Sequence, residues 1–154
     1  MAFNQFDVAA QTVSYASGLK TALAVKASTN VVVKVLEILI SFDGSTSTAT
    51  PAQCEFDTIT FSTNSPGTNS TTVTPGKKDQ GRAETIQATA GKTWTTQPTV
   101  LTQQWPAAVS QYMGMYQYIH PFTSPFIIIG GSGAGVSINA SATVNFSGKI
   151  SCEE

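Results

Sequence analysis

Apolar and polar residues alternate most regularly near the C-terminal end of the chain. Val136, Ile138, Ala140, Ala142, Val144, Phe146, Ile150 and Cys152 fall on one parity. Ser137, Asn139, Ser141, Thr143, Asn145, Ser147, Lys149 and Ser151 fall on the other. A period of two puts the first set on the core face of a sheet and the second toward water. The stretch is longer than the roughly 3–10 residues of an ordinary strand. It is expected to break near Asn139–Ala142, where small and polar residues gather. An apolar run, Phe126–Ile129, precedes it, and Gly130, Gly131, Gly133 and Gly135 mark a β-turn between them. Three strands follow from this reading, and the last ties the end of the chain into a sheet.

The pattern upstream is weaker but of the same kind. Val31–Phe42 is the strongest strand signal there, with Val31, Val33, Val35 and Leu39 on one face and Val32, Leu36, Ile38, Ile40 and Phe42 on the other. Apolar residues on both faces suit a strand covered on both sides, or one in a subunit contact. Strands are expected at 19–26, 31–42, 54–62, 71–74, 115–119, 126–129, 136–139 and 143–152. Asp43-Gly44, Asn64-Ser65-Pro66-Gly67 and Pro75-Gly76 supply turns between them. A helix is conceivable only around Ala83–Ala88, where Gly81, Gly91 and nearby threonines argue against a long one. Trp94, Pro98, Trp105 and Pro106 mark a structured loop. Many short strands separated by turns indicate an all-β antiparallel sandwich or barrel.

Met1–Gly18 shows no clean period. Phe3, Phe6, Val8, Val13 and Tyr15 are many large apolar residues for a free tail. The segment reads either as a frayed terminus or as an arm that packs on a neighbour. The chain therefore divides into an N-terminal arm, 1–18, and a single sandwich domain, 19–154.

Composition narrows the function. Charged residues are 11% of the 154, and the formal net charge is -1; an average soluble domain carries about 25% charged residues. No basic footprint exists for nucleic acid or an anionic membrane surface. No apolar run reaches the roughly 18 residues of a membrane span. Met1–Asp7 has neither a basic segment nor an apolar one, so no secretory leader is expected. In that context Cys54 and Cys152, the two cysteines, are expected to be buried and reduced. The three Asn-X-Ser/Thr matches, at Asn69, Asn139 and Asn145, are discounted as chance products of a Ser- and Thr-rich chain.

Candidate chemistry is thin. Starting at Gly131 and Gly133, a dinucleotide-binding glycine motif would end at Val136, and a strand follows where a helix is needed. Gly91-Lys92-Thr93 resembles the end of a phosphate-binding loop, but the first glycine of that motif would fall at Ile86. His120 is the lone histidine, which leaves no metal set and no nucleophile–base pair. Glu37, Glu55 and Asp57 have no spacing that marks an acid–base pair. Tyr112, Met113, Met115, Tyr116 and Tyr118 could stack on bases or sugars. Without interleaved basic residues they read as core or subunit contact. No catalysis, cofactor or metal is expected.

Several short motifs do resemble a known group. They are Ser41-Phe42-Asp43-Gly44 after the long strand, Ala88-Thr89-Ala90-Gly91, Trp94-Thr95 and Gln97-Pro98-Thr99. Ile127-Ile128-Ile129-Gly130-Gly131, Val136-Ser137-Ile138-Asn139-Ala140 and the acidic Glu153-Glu154 complete the set. Over Leu19–Glu154 the chain resembles small jelly-roll proteins of tailed bacteriophages that decorate or cement the capsid; Ser110–Pro121 lies outside the resemblance. The resemblance implies a jelly-roll β-sandwich made in the host cytoplasm. It would assemble as a homo-oligomer, a trimer by preference, on the virion surface with the major capsid protein as partner. The expected subunit or capsid contacts come instead from the surplus of large apolar residues in two places: Phe3, Phe6, Val8, Val13 and Tyr15, and Tyr112, Met113, Met115, Tyr116 and Tyr118. The same fold also suits a head-fibre or tail-associated domain that binds a host surface or carbohydrate, or an enzyme or lectin.

Overall fold

A computed structural model describes residues 3–44, 50–61, 64–121 and 123–154. Among the described residues there are twelve strands and no helix. In chain order they are β1 (Gln5–Tyr15), β2 (Gly18–Lys26), β3 (Val33–Phe42), β4 (Ala52–Thr60), β5 (Thr71–Val73), β6 (Gly76–Lys77), β7 (Thr89–Lys92), β8 (Thr99–Val109), β9 (Met115–Ile119), β10 (Phe126–Ile128), β11 (Gly133–Ala140) and β12 (Val144–Glu153). One sheet runs β10-β3-β12-β1-β6, with β9 also on β3. The other runs β5-β7-β2-β11-β4-β8. Pairing is antiparallel throughout and nested: β1 with β12, β2 with β11, β3 with β10 and β9, β4 with β8. The two sheets pack face to face over one main core, an antiparallel β-sandwich.

The C-terminal parity holds. Val136, Ile138, Ala140, Val144, Phe146, Ile150 and Cys152 are all buried, and the break falls between Ala140 and Val144. Position 148 on the same parity is glycine because the Phe146 ring folds over it and lies where a Cβ would stand. Thr143 is exposed, whereas Ser137 and Ser151 of the polar set are buried. Ser151 donates to Glu37 Oε2 at 3.2 Å. Ser137 faces the far side of its sheet, which carries a second small cluster of Ala24, Ile59, Phe61 and Trp94. Gly133 leaves the space on β11 that the edge of the Phe61 ring occupies. The Trp94 indole nitrogen donates to Asn64 O at 2.8 Å and holds the covering loop down. The glycine cluster divides as well: Gly131, with φ 84°, makes the turn, and Gly133 and Gly135 belong to β11.

Three expectations are corrected. Residues 1–18 are not an arm: from Gln5 to Tyr15 they form β1, an interior strand of the first sheet bonded along β12. Its period is hidden by a bulge. Phe6, Val8 and Ala10 face the core on one parity, an extra residue intervenes between Ala10 and Val13, and Val13 and Tyr15 continue on the other. The stretch read as a structured loop runs into β8, which holds both Trp105 and Pro106. Residues 83–88 are irregular, not helical. Met1, Ala2, much of the 44–51 loop and the end of the 54–62 strand at Ser62 lie outside the described residues.

Candidate functional site

The free edge of β3 carries β9 and β10 end to end. β9 pairs Met115 with Ser41 through to Ile119 with Glu37. His120 N then donates to Leu36 O at 2.9 Å, and β10 pairs Phe126 with Val35 and Ile128 with Val33. Alternation along this composite strand sends Tyr116, Tyr118, Phe126 and Ile128 inward and Met115, Gln117, Ile119 and Ile127 outward.

The inward set closes the side of the sandwich. Trp105 lies 5.1 Å from Tyr116 and 5.6 Å from Tyr118 between ring centroids. Tyr118 meets His120 edge-on at 4.8 Å, and Phe56 meets Phe126 edge-on at 5.0 Å. Such offset and edge-on pairs add to the apolar burial. His120 is therefore a packing residue. Burial pushes its pKa down, and its Nε2 has no partner among the described residues.

The outward set is an apolar column in water. Met115 is 69% exposed and Ile119 65%, with Ile127, Ile129 and Val32 also half exposed or more. At one end the β8–β9 turn adds Tyr112 and Met113, the latter 71% exposed. This turn is locked from below. Gln111, 1% exposed, donates through Nε2 to Thr50 O at 2.6 Å and to Ser141 Oγ at 3.0 Å. Ser110 Oγ donates to Tyr112 O and accepts from Tyr112 N. Gly114 N donates to Ser110 O at 3.1 Å, an approach that a Cβ on Gly114 would block. Met113 sits at φ 56°, in the left-handed region that a bulky side chain avoids.

A polar strip borders the column. Glu37 accepts from Lys149 Nζ at 2.9 Å and from Gln117 Nε2 at 2.5 Å; these bonds, Lys149 first, hold its carboxyl below the usual range. Lys34 pairs with Glu153 at 2.9 Å and stands 4.2 Å over the Phe3 ring. Phe3, Gln5, Lys34, Leu36, Pro125 and Glu153 line a cleft of about 420 Å3 at the β10 end of the face.

The predicted contact residues thus separate. Met115 is on the outward face, with Tyr112 and Met113 exposed on the turn that leads into β9; Tyr116 and Tyr118 belong to the aromatic seam. Of the N-terminal five, Phe3 is exposed at the cleft. Phe6 and Val8 are fully buried, Val13 packs against the core, and Tyr15 is buried with its hydroxyl donating to Ala22 O. Phe6, Val8 and Tyr15 therefore cannot reach a partner in the folded chain, and Val13 is half-buried. Ile119, Ile127, Ile129 and Val32 belong to the face and were not singled out by the sequence; the β9 alternation could have found Ile119.

Elsewhere, no group of three or more His, Cys, Asp or Glu among the described residues is placed to hold a metal ion. Cys54 and Cys152 are unpaired and fully buried. Burial pushes the Cys54 thiol up to about 12 and raises Cys152 as well. Comparison with family models, with curated proteins and with solved structures finds no match.

Proposed function

We propose that this protein is a structural subunit that acts by binding other protein subunits, and that its setting is a phage capsid. There it would sit on the outer surface as a decoration or cement protein and hold neighbouring shell subunits together. The outward apolar column of β9 and β10 carries the reading. Seven large side chains exposed by half or more along one edge exceed what an isolated surface normally gathers in one place. The nested antiparallel pairing supports the jelly-roll form of the sandwich, since rolling up one long hairpin produces that order. The phage setting rests on the resemblance of the sequence motifs. A ligand that prefers the assembled shell stabilises it by mass action, and more so when several copies bridge it.

The test is to look for this chain in purified virions and to heat shells with and without it. Decorated shells should open at higher temperature, and the gain should vanish when Met115→Asp and Ile119→Asp are introduced together. If stripped shells resist heat as well as decorated ones, cementing fails. Binding of the chain to host cells or glycans would then put the host-surface alternative ahead.

A further inference from the structure

We infer that copies of this chain associate by seating the Tyr112–Met113 turn of one in the cleft between Phe3 and Pro125 of the next. The inference deepens the assembly reading. It takes from that reading only that the β9–β10 face is a contact, and it needs no shell.

The first ground is the turn. A left-handed backbone is unfavourable at a non-glycine residue, and here it carries a methionine at φ 56°. The surrounding fold over-determines it through Gln111, Ser110 and Gly114. Gly44 leaves room beneath the Met113 side chain, where a Cβ would strike its Cγ. Yet most of that side chain stays in water. Strain held this firmly, with the apolar product facing outward, points to a use between molecules.

The second ground is the cleft. Its walls are the Phe3 ring, Leu36 and Pro125. Its charges, Lys34 and Glu153, already neutralise each other at 2.9 Å. It offers no free charge to a ligand and fits an uncharged apolar side chain. A methionine there would gain a sulfur–aromatic contact with Phe3.

The third ground is placement. Turn and cleft lie at opposite ends of the same strand edge. Gly114 O accepts from Phe42 N, while the cleft is at Lys34 and Leu36, a separation of roughly 20–25 Å at the rise of a strand. A two-fold axis near the middle of β9 brings each turn to the other copy's cleft and covers Met115 and Ile119 between them. The exposed part of the column is on the order of 800 Å2, about what one partner contributes to a standard interface.

Two variants that each add one cysteine, Met113→Cys and Pro125→Cys, are mixed and oxidised. Cys54 and Cys152 are buried and do not compete. A disulfide between the two variants should form at least about tenfold more than in a mixture of Met113→Cys with Asn139→Cys, an exposed control on the other sheet. Met113→Gly relieves the strained backbone, so at a concentration where both chains are monomeric it should melt no lower than the native chain, and it should still lose about tenfold or more in association. A native chain that sediments as a monomer at about 0.1 mM, or cross-linking no greater than the control, overturns the inference. A chain that associates this way but ignores shells sinks the capsid reading alone. A chain that binds shells as a monomer sinks this contact alone.

Discussion

Replacing Asp57 with Asn should stabilise the protein at neutral pH. Asp57 lies on β4, on the face away from the main core, opposite Gly135 of β11. It is fully buried, and neither carboxylate oxygen has a hydrogen-bond partner among the described residues. Burial pushes its carboxyl above the ordinary range. The neighbouring Ser137 hydroxyl opposes this, and the Glu55 charge adds to the rise. A buried charged group left unpaired costs at least about 1–3 kcal/mol, and Asn keeps the shape without the charge. In a chain of 154 residues that corresponds to a melting-temperature gain of about 2–12 °C. The pH dependence has a fixed sign. A carboxyl whose pKa is higher in the folded state binds its proton more tightly there. Its penalty is therefore absent below the unfolded value of about 3.9 and grows as pH rises through the folded value. Thermal melts of both proteins from pH 4 to pH 8 should show a gap that opens with rising pH. A variant no more stable at pH 7, or a gap that does not change with pH, would refute the reasoning.

Removing residues 1–18 should abolish the cooperative unfolding transition, because β1 is interior to its sheet; the milder Phe6→Ala should cost about 3–5 kcal/mol in chemical denaturation. Gly133→Ala should destabilise by about 1–3 kcal/mol, since the Phe61 ring occupies the space a methyl needs, and a neutral result would mean that ring is not held there. Thiol titration should find two free thiols only after unfolding, with the folded protein unreactive because both thiols are buried and resist ionisation. Glu37→Gln should cost at most about 1 kcal/mol at pH 7. That difference should shrink as pH falls through the lowered folded value of Glu37, because a depressed carboxyl stabilises only while ionised.

The C-terminal strands were legible because their alternation is unbroken and one face is buried throughout. β9 was legible too: Met115–Ile119 was expected and found. β1 was hidden because its bulge switches parity midway, so Phe6-Val8-Ala10 and Val13-Tyr15 never line up as one pattern. Leu36 does the same to β3, where a register shift against β12 separates Val33 and Val35 from Ile38, Ile40 and Phe42. Part of the two-faced apolar pattern there is thus one face read across a bulge. β8 is an edge strand exposed over Thr99–Gln104, so burial imposes no alternation on it. The candidate face was half legible. Its aromatic and methionine residues drew attention as a block, but the strand period splits that block between seam and surface. Ile127 and Ile129 were lost inside an apolar run whose inward and outward members look alike.

The central claim, that the β9–β10 face joins subunits on a shell, is tested most directly by co-sedimentation with purified phage capsids of the kind the proposal assigns to this chain. The native protein should pellet with shells in a fixed, saturable ratio to the capsid subunit. A folded Met115→Asp, Ile119→Asp variant should stay in the supernatant, since burying two unpaired charges in a contact costs several kcal/mol. Equal pelleting of both proteins, or none of either, would contradict the account.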